Sequence, residues 1–169
     1  MKMTASMARI TDLFVSHFTL RLDAKGRVSI PASFRAILNR DQTGTLFCCR
    51  SPDCEAIDAG GAGLIAEIEQ LIAAHADNRE ARAHFATALY GTCETLKVDG
   101  EGRVVLSPSL KAHACIADQI TFVGLGRKFQ LWEPSRFRAQ MANAALSLRQ
   151  ATAPMRGLSR GTFAAEAPE

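Results

Sequence analysis

The chain has 169 residues, 47% hydrophobic and 22% charged, with 12 Gly and 6 Pro; this globular balance excludes a disordered, collagen-like or coiled-coil polypeptide. Twenty Lys/Arg against 17 Asp/Glu leave +3, but residues 1–50 carry +5, residues 51–102 carry −7 and residues 103–169 carry +5. No apolar run reaches the roughly 18 residues of a membrane helix, and residues 1–13 lack a signal-peptide pattern, so the expectation is a cytoplasmic chain with no membrane partner.

In chain order, residues 17–22 alternate as a strand does. Asp23-Ala24-Lys25-Gly26 is turn chemistry: Asp accepts from backbone amides, and Gly takes a left-handed position that a Cβ resists. Residues 27–30 start a return strand, which predicts a β-hairpin with Gly26 as its bulge residue. Pro31 suits the first turn of a short helix over 32–38. Strands are expected near 45–49 and 54–58. Gly60-Gly61-Ala62-Gly63 opens a helix without the Lys-Ser/Thr of a phosphate loop, and reads as a flexible linker. Leu64, Ile65, Ile68, Leu71 and Ile72 recur at helical spacing. Asn78 caps a second helix through Leu89, closed by Gly91. Further on, Ser107 and Pro108 start another short helix, strands follow near 119–123 and 129–132, and Phe137, Met141, Ala144, Ala145 and Leu148 form an amphipathic helix after Pro134. Residues 151–169 show no periodicity and read as a flexible tail.

Within this order lies a repeat. Thr19-Leu20-Arg21-Leu22-Asp23-Ala24-Lys25-Gly26-Arg27-Val28-Ser29-Ile30 returns 76 residues later as Thr95-Leu96-Lys97-Val98-Asp99-Gly100-Glu101-Gly102-Arg103-Val104-Val105-Leu106, with six identities in twelve positions. Ser33-Phe34-Arg35 matches Ser109-Leu110-Lys111, and the strands that follow match more weakly. Two copies of a unit of about 75 residues therefore organise the chain.

The repeated motif is Asp-x-x-Gly-Arg. Turn geometry alone accounts for Asp23, Gly26, Asp99 and Gly102. It does not require Arg27 or Arg103. These two either pair with the Asp three or four positions back or face an anionic partner. Fifteen of the 20 basic residues are Arg, whose planar donors suit phosphates and guanine edges. Lys25 adds charge to the first loop, where the second carries Glu101.

Catalytic constellations are missing from the pattern. The four histidines, His17, His75, His84 and His113, are scattered, and the five cysteines, Cys48, Cys49, Cys54, Cys93 and Cys115, form no CxxC pair. No metal or cofactor is expected, and the cysteines read as reduced, structural thiols. Glu67, Glu69, Glu80 and Glu94 read as solvated helix faces, and Trp132 in its alternating strand reads as core.

Phe18 to Arg35, Leu96 to Leu106 and Gly124 to Glu133 together resemble the MraZ family, within the AbrB/MazE/SpoVT-like group of DNA binders. The resemblance spans residues 14–150. It implies an α+β fold, a duplicated AbrB-like double-split β-barrel with short helices whose two tandem repeats are related by pseudo-symmetry. The parts are then a first repeat over 14–60, a helical connection over 61–91, a second repeat over 92–150 and the tail. It also implies a nucleoid-associated transcriptional repressor of the division and cell-wall gene cluster and of its own operon. Its partners are double-stranded promoter DNA, bound at short direct repeats, and further copies of itself in a ring. DNA contact falls to Lys25, Arg27 and Arg103, flanked by Arg21 and Lys97. The alternative is an AbrB-like antitoxin or protein-partner module whose tail wraps a second protein.

Overall fold

The computed structural model of the protein describes residues 12–41 and 44–158. Most of residues 1–13 and the end of the tail, 159–169, lie outside the described residues. The first copy supplies β1 (His17–Arg21), β2 (Arg27–Ser29), α1 (Ala32–Arg40), β3 (Thr45–Arg50) and β4 (Ile57–Gly60). Two helices follow, α2 (Ala62–His75) and α3 (Arg79–Tyr90). The second copy repeats the order as β5 (Cys93–Lys97), β6 (Arg103–Val105), α4 (Pro108–His113), β7 (Gln119–Gly124) and β8 (Phe129–Trp132). The architecture is α+β, with antiparallel pairing throughout.

Helix starts follow local chemistry. The Asn78 side chain accepts from the Ala81 N–H at 2.8 Å, and Ser107 from Leu110 at 3.2 Å with Pro108 next in line. Each satisfies an amide that has no partner in the first turn. Pro31 stands at the cap of α1, one place before the first helical residue, and its carbonyl accepts from Phe34 and Arg35.

The pairing of strands corrects the hairpin reading. β1 does not pair with β2. It pairs with β7, Phe18 facing Phe122, while β2 pairs with β6 as Val28 faces Val104. The six-stranded sheet runs β1-β7-β8-β4-β3-β5, and the two-stranded sheet holds β2 and β6. Replace each strand by its counterpart in the other copy and the order reads the same backwards. Each copy thus lends its first strand to the other. Alternation along a strand sets which face is buried, not which strand lies alongside.

The core sits between the exchanged pieces. Val28, Ile30, Phe34 and Leu46 of the first copy pack with Val104, Leu106, Leu110, Ile120 and Phe122 of the second. Phe34 has no exposed surface, and its ring lies 5.0–6.4 Å from those of Phe14, Phe18, Phe122 and Phe129. At the centre of the sheet Asp58 faces Gln130 across β4 and β8. Only 6% exposed, Asp58 accepts from Gln130 Nε2 at 2.7 Å and Lys128 Nζ at 3.2 Å, as a buried carboxylate must. Trp132 is buried as expected, its Nε1 donating to Gln130 Oε1 at 3.0 Å.

A second cluster forms where α2 and α3 cover β3. It contains Leu64, Ile68, Ile72 and Cys49, with Ala86, Leu89 and Tyr90 against them. Here Cys49 and Cys93 face each other across β3 and β5 and are joined by a disulfide. This corrects the reading of all five cysteines as reduced thiols; Cys48, Cys54 and Cys115 are free. Register puts the two sulfurs together, and 44 residues of intervening sequence hide it.

Two further readings change. β4 begins at Ile57 and not near 54, because residues 51–56 turn the chain and Ser51 N–H closes that turn on the Ala56 carbonyl at 3.0 Å. The Gly60-Gly61-Ala62-Gly63 run is no loose linker. Gly60 ends β4, and a Cβ at Gly63 would lie 2.6 Å from the Arg127 carbonyl oxygen. Asp41 occupies the adjoining helix start, its Oδ2 accepting from Ala62 N–H at 2.9 Å.

The described chain divides into two units after Pro134. All eight strands and α1 to α4 lie within the first. The second unit, among the described residues, is α5 (Pro134–Leu158) from Ser135 onward. The reading of a tail from 151 is corrected for its first eight residues, which continue this helix. Thr152 Oγ1 donates to the Leu148 carbonyl at 2.9 Å, so its hydroxyl is satisfied within the helix. Met141 and Leu148, expected on an apolar face, are exposed.

Candidate nucleic-acid interface

The two Asp-x-x-Gly-Arg loops are built alike, bond for bond. In the first, Asp23 Oδ1 accepts from the Lys25 and Arg27 amides, both at 2.9 Å. In the second, Asp99 Oδ1 accepts from the Glu101 and Arg103 amides, both at 2.9 Å. Gly26 and Gly102 take φ of +74° and +75°, which side chains with a Cβ rarely adopt. Each Asp then uses its other oxygen on the arginine: Arg27 Nε to Asp23 Oδ2 at 2.7 Å, Arg103 Nε to Asp99 Oδ2 at 2.8 Å.

The pairing expected between each arginine and the Asp four positions back is present in both loops. The carboxylate occupies Nε and sets the plane of the guanidinium. The terminal nitrogens remain at the outer end, in a fixed fork. On Arg27, no ion pair or hydrogen bond takes those nitrogens among the described residues. Arg103 differs, because Glu101 Oε2 lies 3.0 Å from its Nη1. The first loop thus presents a free fork, and the second has closed part of its own.

The electrostatics agree with this. The Arg27 amide, aided by its side chain and the Lys25 amide, holds the Asp23 carboxyl below the usual range. The Arg103 amide and side chain do the same for Asp99. A carboxylate depressed in this way contributes fully above its ordinary pKa and loses its contribution as pH falls through the lowered value. The contribution of each carboxylate to its loop is therefore complete at neutral pH and is lost only in acid. Arg103 is held charged first by its bond to Asp99, then by the fields of Asp99, Glu101 and Asp23. Asp23 acts on Arg103 from the other copy because the pairing of β2 with β6 brings the two loops near each other.

That neighbourhood follows from the short β2–β6 ladder. Arg27 faces Val105 and Arg103 faces Ser29, one at each end of three paired residues. Ile30 N–H donates to the Gly102 carbonyl at 2.9 Å, tying the return of one copy to the loop of the other. Lys25 is exposed at the first tip. Arg21 and Lys97 are exposed at the ends of β1 and β5, the two edge strands of the six-stranded sheet, and are not part of either loop's bonding.

One residue at the site escapes the motif. Arg35, on α1 of the first copy, lies against Gly102 of the second, and its Nη1 donates to the Glu101 carbonyl at 3.2 Å. A basic residue at the matching place in each copy, Arg35 and Lys111, is the only trace it leaves in the repeat. Among the described residues no group of His, Cys, Asp and Glu could hold a metal, and no helix is long and apolar enough to cross a membrane.

A duplicated, strand-exchanged sheet that carries two arginine-bearing loops, one basic and one offset by Glu101, defines the class of this protein. Comparison with known proteins narrows that class. Residues 89–158 match the family model described as "MraZ protein, putative antitoxin-like". The chain is similar to the transcriptional regulator MraZ of Azorhizobium caulinodans, 60% identical over 82% of this chain and 88% of that one. It is 55% identical to that of Xanthobacter autotrophicus over the same shares, and 38% identical to that of Rickettsia bellii over 79% of this chain and 89% of that one. The chain belongs to the MraZ family.

Proposed function

We propose that the chain is a sequence-specific DNA-binding transcriptional repressor that grips double-stranded promoter DNA with its Asp-x-x-Gly-Arg loops. The observation that carries this reading is the Arg27 fork, with Nε engaged by Asp23 and both terminal nitrogens open. A guanidinium held at Nε meets a partner end-on. Guanine offers O6 and N7 to that pair of donors in the major groove, and a phosphate offers two oxygens. Relatives named transcriptional regulators support the same reading.

The finer reading is a ring of copies acting on short direct repeats upstream of its own operon, in the division and cell-wall gene cluster, at the nucleoid. One loop holds DNA weakly. Loops on several copies act together when repeat spacing matches their separation. The two copies of the motif and the palindromic strand order support a duplicated double-split β-barrel as the carrier of the loops. The work asked of it is binding, without a cofactor.

The test is fluorescence anisotropy with DNA from upstream of the coding region against a shuffled control, over a salt series. The native DNA should bind tighter, with log affinity falling by about 0.9 per phosphate contact for each unit of log salt. Equal, weak binding to both would remove this reading. It would leave the partner-module alternative, which the antitoxin-like description of the family model favours.

Glu101→Lys should tighten binding. The change releases Arg103 Nη1 and replaces a charge that repels phosphate with one that attracts it. The salt slope should steepen by about one contact. An unchanged affinity would place the second loop away from DNA.

A further inference from the structure

We propose that Arg35 is a positioning residue for the second loop: a side chain of the first copy that stiffens the tip of the other copy's loop for binding. The inference rests on the DNA-binding reading above. It makes the two loops unlike in mobility as well as in charge.

The brace is tightly built. Phe34, wholly buried, fixes the rotation of α1, and Arg35 follows it in sequence. A Cβ placed on Gly102 would collide with Arg35 Cδ and Nη1. Only a bare Cα lets the side chain lie so close. Nη1 then donates to the Glu101 carbonyl at 3.2 Å, while Nε is buried without a hydrogen-bond partner. A buried donor left unpaired is unfavourable; the close approach to Gly102 and the bond to the Glu101 carbonyl are what hold the guanidinium there. Glu101 thus has its carbonyl bonded to Arg35 and its carboxylate to Arg103.

The first loop has no such cover. A Cβ on Gly26 would meet nothing within 4 Å. Gly26 is needed for its positive φ alone, whereas Gly102 is needed for its φ and for the space that Arg35 fills. Lys111 stands in the second copy where Arg35 stands in the first, and an ammonium cannot lie flat over a peptide as a guanidinium does. The open loop is left to adapt. The braced loop holds Arg103 in place before DNA arrives, and Arg35 returns the positive charge that Glu101 removes.

Hydrogen exchange and binding test this together on the full chain, with Arg35→Ala and Arg35→Lys against the wild type. Without DNA, the amides of Glu101 to Arg103 should exchange faster in both variants, and those of Lys25 to Arg27 should not change. Affinity for the upstream DNA should fall roughly three- to tenfold, the cost of ordering a loop on binding, with the salt slope unchanged. The same loss should appear in a Lys25→Ala background and vanish in an Arg103→Ala background, because a residue acting through Arg103 has nothing to position without it. Unaltered exchange at 101–103, or an equal rise in both loops, would overturn the brace. So would rescue by Arg35→Lys with a salt slope lower by one in Arg35→Ala, which would make Arg35 a phosphate contact itself. If the wild type does not prefer the upstream DNA, it is the DNA reading that fails, and the exchange result alone judges the brace.

Discussion

Arg27→Ala should abolish preference for the upstream DNA while leaving the fold intact. A good bidentate contact to a base is worth about 1–3 kcal/mol, or roughly 5- to 150-fold in affinity. Loops acting together on one DNA multiply that loss, so specific binding should drop below detection. The side chain is half-buried and belongs to neither apolar cluster. Its one loss at home is the pair with Asp23, an exposed contact whose removal leaves the loop's two Asp23 amide bonds in place. Circular dichroism should therefore match the wild type. Arg103→Ala, by contrast, removes a fork that Glu101 already half occupies, and should cost less. Retained specific binding in Arg27→Ala would sink the assignment of the first loop.

Phe34→Ala should have the largest effect on stability. Phe34 has no exposed surface and touches four other rings contributed by both copies. Truncation removes the buried ring and leaves a cavity walled by strands of both sheets, which relax little. A loss of about 3–5 kcal/mol is expected. Urea denaturation should show it as a lower midpoint at an unchanged slope. A loss under about 1 kcal/mol would mean that the core closes around the gap. Since Phe34 also seats α1, and α1 carries Arg35, the second loop should loosen with it.

Much of this was legible in the residues because it is local. Turn geometry at Asp23-x-x-Gly26 and its copy, the caps at Asn78 and Ser107, and the burial of Trp132 each depend on neighbours a few positions away. The repeat itself lies in plain view. What stayed hidden is contact between distant residues. The alternation of β1 is the same whether it pairs with β2 or with β7. Cys49 and Cys93 become partners only through the register of β3 on β5. The Gly60-Gly61-Ala62-Gly63 run looks loose in sequence and is tight in space, because the Arg127 backbone lies against Gly63 and the Asp41 side chain against Gly61. Arg35 reads as one more basic residue until the fold lays it on Gly102. In each case the deciding atom belongs to a segment whose position the sequence around the residue does not encode.

The exchanged strands carry a consequence for how such a molecule can change over generations. In an assembly of identical half-length chains, every substitution appears on both sides of the dyad at once. A change that weakens one loop weakens its twin. With both halves on one polypeptide, the mirror is broken without breaking the frame. Glu101 can stand opposite Lys25, Gln130 opposite Asp58 and Lys111 opposite Arg35, each pair unequal within matching backbone. Covalent linkage leaves the two loops free to differ within one frame.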